Sequence, residues 1–196
     1  MHAVTRHSSI LGLVFMLLVP LGSAGSVTAV VSPAGTASRA DDQSPRPHAA
    51  VGEPAPELVL PSLRQGNDPV RLSDYRGKVV YLDFWSSWCA PCRRAMPQLD
   101  ALRQEYSRKD FEVVGVNVDT IAADARRFLE RVPVSYPIAA DPAGHTARRF
   151  GVDTLPALVV IDGRGVIRDV LRGSATEARD DLEAALVELI EQREVQ

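Results

Sequence analysis

The chain contains few residues that bind metal ions. Among its 196 residues there are two cysteines and four histidines, whereas a closed structural zinc site needs four ligands. His2, His7 and His48 fall in segments that we expect to lie outside the folded domain, and His145 fits a solvated position on a helix. We therefore expect neither a metal site nor a bound cofactor.

Blocks of like charge are also missing. The formal net charge is −3, and acidic and basic residues are interleaved from Ala50 onward. The pairs Arg126–Arg127 and Arg148–Arg149 fit solvated helix faces. This pattern gives no electrostatic reason to expect a nucleic-acid partner or an anionic membrane surface.

The longest apolar run, Ile10–Leu21, is too short to span a bilayer comfortably. It follows Arg6 and precedes small residues, which predicts a secretory signal peptide over residues 1–29, with cleavage after Ala24 or Ala29. An uncleaved membrane anchor is the alternative, and no cysteine follows the run to support a lipid anchor. The sequence thus predicts a periplasmic or otherwise extracytoplasmic protein.

Residues 30–52 are rich in Ala, Ser, Pro and Gly and show no hydrophobic period. Such a composition predicts a disordered linker. Residues 53–196 contain no internal repeat, and the hydrophobic content of the chain, 45%, suits a single core. We expect one folded domain and a monomer.

Predicted strands and helices alternate along this domain. Apolar runs and turn signals predict strands at Val79–Trp85, Phe111–Val118 and Ser135–Ala140, a hairpin within 158–167, and an extra hairpin upstream from 57–60 and 69–72. Helical spacing is found from Ala90 to Tyr106, at Ala122–Arg131, around Ala147–Phe150 and at Ala178–Ile190. Together they predict an α/β fold, a sandwich with a mixed central sheet.

The two cysteines stand three positions apart in Trp88-Cys89-Ala90-Pro91-Cys92, where a predicted strand gives way to a predicted helix. If the helix opens at Ala90, both sulfurs lie on one face and can meet. Pro91 suits the first turn, where its missing N–H would have had no partner. The unpaired N–H groups and the helix dipole stabilise a thiolate at Cys89, and a thiolate is the attacking species in disulfide exchange.

A purely structural disulfide is the alternative for this pair. A bridge that closes so short a loop removes little entropy from the unfolded chain, because the gain grows with loop length. The spacing therefore favours a redox-active pair.

Four motifs place the cysteines in a wider pattern. They are Pro54-Ala55-Pro56, Leu72-Ser73-Asp74-Tyr75-Arg76-Gly77-Lys78, Phe84-Trp85 followed by Trp88-Cys89-Ala90-Pro91-Cys92-Arg93, and Gly151-Val152-Asp153-Thr154-Leu155-Pro156. With them, residues 53–193 resemble thioredoxin-fold proteins, and more closely the exported thiol–disulfide oxidoreductases of the TlpA/ResA/DsbE group. The resemblance implies a thioredoxin-like three-layer sandwich with an N-terminal extra hairpin and a central helix-strand insertion within 119–150.

The resemblance also implies roles for residues at the site. Cys89 would be the exposed nucleophile and Cys92 the buried resolving thiol, and the two would form the redox-active disulfide. Pro156 would follow a cis peptide bond facing the cysteines, and Leu155 would pair its backbone with a client peptide. For Pro156, a trans residue that starts a strand is the alternative.

Two tryptophans flank the same site. By this interpretation Trp85 and Trp88 cover the cysteines and exclude water, and Trp88 belongs to the client-binding surface. Plain packing is the alternative, because large aromatic side chains dominate cores in any case.

Two positions depart from the group's pattern. The helix has Ala95 where a glutamate is common, and the strand has Asp83, six residues before Cys89, where an asparagine is frequent and thioredoxins keep a buried aspartate. Gly115 stands where thioredoxins have a lysine. We hypothesise that Asp83, desolvated and with a raised pKa, takes the proton of Cys92. A structural or partly solvated aspartate at a strand end is the alternative.

These inferences predict a reductant of protein disulfides. By resemblance, its clients would be apocytochrome c or a copper-site protein, and a membrane thiol–disulfide electron donor would restore the dithiol. Strong oxidants of the DsbA type usually have a histidine between the cysteines, where this chain has Ala90-Pro91. A peroxiredoxin-like thiol peroxidase and a non-enzymatic Cu(I) or haem-thiol chaperone are the alternatives.

Overall fold

The computed structural model of the protein describes residues 49–64, 68–106 and 110–194. All of these residues belong to the second unit of the chain, Gln43–Gln196, which is compact. The predicted signal peptide and residues 30–48 of the predicted linker lie outside the described residues. Within the described ranges, no helix combines the length and the apolar character needed to cross a membrane.

Strands and helices follow one another along the second unit. The strands are β1 (Val59–Leu60), β2 (Val70–Arg71), β3 (Val79–Trp85), β4 (Phe111–Asn117), β5 (Ile138–Ala140), β6 (Ala157–Ile161) and β7 (Ile167–Arg172). The helices are α1 (Ala90–Glu105), α2 (Ala122–Arg131), α3 (His145–Arg149) and α4 (Arg179–Glu194). The predicted hairpins are confirmed, since β1 pairs antiparallel with β2 and β6 with β7.

Five strands form the central sheet in the order β5-β4-β3-β6-β7. Parallel pairs join β3 to β4 and β4 to β5, whereas β6 runs antiparallel to both of its neighbours. The sheet is therefore mixed, as predicted. Every residue of β3 and β4 is buried, as expected of strands that are covered on both faces.

Each face of this sheet is covered by its own hydrophobic cluster. On one face, Tyr81 and Trp85 of β3 pack in a cluster with residues of α1, α2 and α4. We call this side of the sheet the α1 face. On the other, Leu82 and Phe84 pack in a cluster with residues of the N-terminal hairpin and α3. This alternation follows from the period of two of a strand and produces three layers, the architecture that the resemblance implies.

Predicted and observed boundaries agree best where the apolar pattern is continuous or strongly periodic. Strand β3 and helix α2 begin and end as predicted, whereas β5 covers only the last three residues of the predicted strand. Helix α3 starts at His145, before the predicted helical stretch, because the Asp141 carboxylate accepts hydrogen bonds from the backbone N–H groups of His145 and Ala147. His145 is exposed, as expected.

The last residues of the predicted linker contact the folded body. The N–H of Ala49 donates to the carbonyl of Arg149 at 3.1 Å, and the N–H of Gly52 donates to the carbonyl of Ile167 at 2.8 Å. These backbone hydrogen bonds attach residues 49–52 to the end of α3 and to β7.

A buried ion pair joins α1 to β4 and generates the first prediction. Arg103 binds Glu112 through two nitrogens and also donates to Ser135 Oγ at 3.0 Å. Glu112→Ala would leave the buried guanidinium without its carboxylate and should lower the free energy of unfolding by about 3 kcal/mol. Chemical denaturation of the oxidised protein measures this change. Glu177→Ala, which breaks the exposed pair with Arg94, is the control and should have a far smaller effect; equal losses would contradict the prediction.

Candidate active site

The two cysteines form a disulfide at the amino end of α1. Their sulfurs are bonded at 2.02 Å. Cys89 is the N-cap residue, and its Sγ accepts a hydrogen bond from the backbone N–H of Cys92 at 3.2 Å. Pro91 lies in the first turn, as predicted. The same N–H and the positive end of the helix would stabilise a thiolate on Cys89 when the bond is reduced.

Cys89 is less exposed than expected. That residue is 5% exposed and Cys92 is 0% exposed, so the expected exposed nucleophile is almost buried in the disulfide form. The reason is local packing, because both sulfurs belong to the hydrophobic cluster of the α1 face. Cys89 is nevertheless the more exposed member of the pair.

The peptide bond between Leu155 and Pro156 is cis, as the resemblance implied. Pro156 immediately precedes β6, whose first residue, Ala157, pairs with Phe84 of β3. This register places Pro156 at the end of the sheet from which the chain enters the cysteine motif. Leu155 is half-buried and packs against both hydrophobic clusters.

The two tryptophans occupy different environments. Trp85 is fully buried, and its ring packs against Phe128 at a centroid distance of 5.4 Å. Trp88 is 72% exposed. The shielding of the cysteines by both indoles stays a prediction. The exposed side chain of Trp88 offers an apolar surface one residue from Cys89.

Asp83 is buried in the middle of β3. Its side chain is on the α1 face, in line with Tyr81 and Trp85, and the residue is 0% exposed. Neither carboxylate oxygen has a hydrogen-bond partner in the described part of the chain. Burial raises the pKa of Asp83 from its ordinary value of 3.8 to about 7. The alternative of a partly solvated aspartate at a strand end is therefore wrong.

Among the described residues, no charged side chain lowers the pKa of Asp83. In the sheet Asp83 pairs with Gly115 of β4 and Leu158 of β6, neither of which has a charged side chain. Ala95 of α1, which replaces the glutamate common in the group, is fully buried. Burial alone accounts for the raised pKa of Asp83, which makes this carboxyl able to exchange a proton near neutral pH.

The sequence analysis missed a polar network that holds the loop before Cys89. The Asp119 carboxylate accepts hydrogen bonds from the backbone N–H of Ser87 at 2.9 Å and from Asn117 Nδ2 at 2.9 Å. The backbone N–H of Asp119 in turn donates to Asn117 Oδ1 at 3.1 Å. The available signal was the pair of Asn and Asp residues two apart at the end of a predicted strand, a pattern typical of side chains that satisfy nearby backbone groups.

Metal ligands do not cluster near the disulfide. Within 49–64, 68–106 and 110–194, no group of three or more His, Cys, Asp or Glu side chains is arranged to hold a metal ion.

Comparisons with known proteins agree with this geometry. The chain matches the Redoxin family over residues 50–186. It is 37% identical over 137 residues to the thiol-disulfide oxidoreductase ResA of Geobacillus kaustophilus, covering 70% of this chain and 76% of the relative. The corresponding ResA of Geobacillus thermodenitrificans is 38% identical over 128 residues, which cover 65% of this chain and 72% of the relative.

Solved structures are similar over the same region. A thiol:disulfide interchange protein assigned as DsbE from Chlorobium tepidum superposes with a TM-score of 0.68 at 37% identity, covering 72% of this chain and 99% of that one. The thioredoxin domain of a thiol-disulfide oxidoreductase from Bacteroides vulgatus gives a TM-score of 0.62 at 27% identity, covering 72% and 98%. With its disulfide on the N-terminus of α1, the chain belongs to the Redoxin family and is a thiol–disulfide oxidoreductase related to ResA and DsbE.

Proposed function

We propose that this protein is an extracytoplasmic reductase of protein disulfides, with Cys89 as nucleophile, Cys92 as resolving thiol and Asp83 as proton acceptor. The observation that carries the proposal is the position of Cys89 at the N-cap of α1, within hydrogen-bond distance of the Cys92 N–H. The cycle starts when the Cys89 thiolate attacks a client disulfide. A bond forms between Cys89 and one client sulfur, and the other client sulfur leaves as a thiolate.

The second step resolves this mixed disulfide. Cys92 gives its proton to Asp83 and attacks the Cys89 sulfur, and the bond from Cys89 to the client breaks. The client leaves with two more electrons, as a dithiol, and the enzyme retains the Cys89–Cys92 disulfide. Two electrons from a membrane thiol–disulfide donor would then restore the enzyme dithiol.

Three features near the disulfide support binding of a client peptide. Trp88 presents a largely exposed indole beside Cys89, and such surfaces suit apolar contacts with a partner. The cis Leu155–Pro156 bond lies at the same end of the sheet, and the backbone of Leu155 would pair with an extended client segment. By resemblance to ResA and DsbE proteins, the client would be apocytochrome c or a copper-site protein.

The extracytoplasmic location follows from the predicted signal peptide over residues 1–29. Disulfides persist in oxidising compartments, where a reductase needs its own electron supply. A dedicated membrane donor is therefore part of the proposal.

Equilibration with glutathione tests the direction of the reaction. A reductase should have a Cys89–Cys92 reduction potential below about −200 mV, whereas a DsbA-like oxidant lies near −120 mV. Cys89→Ser should abolish reduction of a disulfide substrate, and Cys92→Ser should trap a mixed disulfide visible by mass spectrometry. A potential near the oxidising end, or faster turnover of peroxide than of disulfides, would overturn the proposal.

The role of Asp83 predicts a pH-dependent defect in Asp83→Asn. Reaction of the reduced enzyme with an aryl disulfide releases two aryl thiolates, the first on attack by Cys89 and the second on attack by Cys92. The variant should release the second about tenfold more slowly at pH 7, because the proton acceptor is lost. The difference between the second-phase rates of the variant and of the unaltered enzyme should disappear as pH rises past about 8.5, where a free thiol ionises unaided. Stopped-flow absorbance separates the two phases.

The control for this measurement is Asp169→Asn, which removes an exposed carboxylate from β7. It should leave both phases unchanged. Equal second-phase rates in Asp83→Asn and the unaltered enzyme at pH 7 would rule out Asp83 as the acceptor.

Burial of Asp83 also predicts how stability depends on pH. The folded protein keeps the Asp83 proton up to about pH 7, whereas the unfolded chain releases it near 3.8. The folded state binds more protons in this window, so its stability falls as pH rises through it. Asp83→Asn should therefore gain stability relative to the unaltered protein, on the order of 4 kcal/mol, between pH 4 and pH 8. Chemical denaturation of both oxidised proteins at each pH measures this gain. A difference in the free energy of unfolding that stayed constant with pH would contradict the prediction.

A further inference from the structure

Within the described residues, five side chains have buried polar atoms without a hydrogen-bond partner, and three of them belong to the β3, β4 and β5 region of the α1 face. They are Asp83, at both carboxylate oxygens, Trp85, at Nε1, and Tyr136, at its phenol oxygen. All three residues are 0% exposed. Nearly all buried polar atoms in folded proteins are paired, so such a concentration calls for a functional explanation.

Two of the three groups lie against Gly115, the β4 residue that pairs with Asp83. A Cβ atom built on this glycine would lie 2.6 Å from Ile138 Cδ1, 3.1 Å from Trp85 Nε1 and 3.2 Å from Tyr136 Cε2. The two rings therefore close over Gly115 on the face to which Asp83 points. Because residue 115 has no side chain, the Trp85 indole N–H and the Tyr136 ring can lie beside the position that pairs with Asp83.

Three charged groups influence Tyr136, namely Asp83, Asp100 and Arg64. Among them, Asp83 is the one whose side chain has no hydrogen-bond partner among the described residues. Asp100 already accepts hydrogen bonds from the backbone and hydroxyl of Ser135, and Arg64 donates to the carbonyl of Tyr136 at 3.2 Å. Burial raises the pKa of Tyr136 well above its ordinary value, with Asp83 as the next cause. The phenol thus remains a protonated donor throughout the working pH range.

We propose that Tyr136 is a positioning residue for the resolution step, whose phenol O–H stabilises the Asp83 carboxylate through one bridging water, with the Trp85 indole N–H as a second donor. The inference rests on the proposed role of Asp83 as proton acceptor. Hydrogen bonds to the ionised form favour that form. They would oppose the effect of burial, so that at neutral pH part of the Asp83 population is ionised and can accept the Cys92 proton.

Tyr136→Phe tests the inference, because it keeps the ring and removes only the hydroxyl. The midpoint of the pH profile for the second aryl thiolate release should move upward by about one pH unit. Carbon-13 NMR titration of the Asp83 carboxyl in the reduced protein should show the same shift. The first phase should be unchanged, and in an Asp83→Asn background Tyr136→Phe should have no further effect.

The matched control is Tyr81→Phe, which removes another buried phenol on the same face of β3, two residues before Asp83. Its hydroxyl donates to the Leu182 carbonyl at 2.6 Å. The variant should therefore lose stability without moving the midpoint. An equal shift in both phenylalanine variants would show a general packing effect and overturn the inference.

The outcomes separate the inference from the proposed function. If Asp83→Asn slows the second phase while Tyr136→Phe leaves the midpoint in place, the Tyr136 role is wrong and the acceptor role stands. If Asp83→Asn has no effect, both fail. Should Tyr136→Phe not fold, the Cζ resonance of Tyr136 in the unaltered reduced protein provides the test. Its chemical shift should change with pH at the same midpoint as the Asp83 carboxyl. The lack of such an inflection would overturn the inference.

Discussion

The contact between the amino end of α1 and the Cys89 sulfur is the interaction on which the chemistry depends. The helix begins directly after Cys89, so the N–H of Cys92 has no partner within the helix and donates to Sγ instead. The same dipoles would lower the pKa of the thiol after reduction. A cysteine away from a helix N-terminus would lack this stabilisation and would be a poor nucleophile at neutral pH.

Strand β3 connects this nucleophile to the interior. Its residues alternate between two hydrophobic clusters, and the position that faces α1 in its middle is a carboxylate, Asp83. An unpaired carboxyl in such a place lowers the stability of the folded protein at neutral pH, because burial favours its neutral form. The same environment makes the group useful, since its pKa of about 7 matches the pH at which a thiol must lose its proton.

Continuous or strongly periodic apolar patterns in the sequence predicted the bounds of strands and helices best. Strand β3 and helix α2 match their predicted bounds because each has a continuous or strongly periodic apolar pattern. The start of α3 was missed, since a side-chain cap from Asp141 extends a helix of five residues. The near-burial of Cys89 and the exposure of Trp88 were missed as well, because each depends on which neighbours pack against these side chains in the fold.

The sequence by itself determined the family motifs, the redox pair at the junction of strand and helix, and the order of strands and helices along the chain, because each is encoded by residues close together in the chain. Only the tertiary structure decided the surroundings of Asp83. Gly115, Tyr136 and Leu158 approach it from three separate segments, and the register of β3 with β4 and β6 brings them together. Register and side-chain approach depend on long-range packing, which local sequence patterns do not specify.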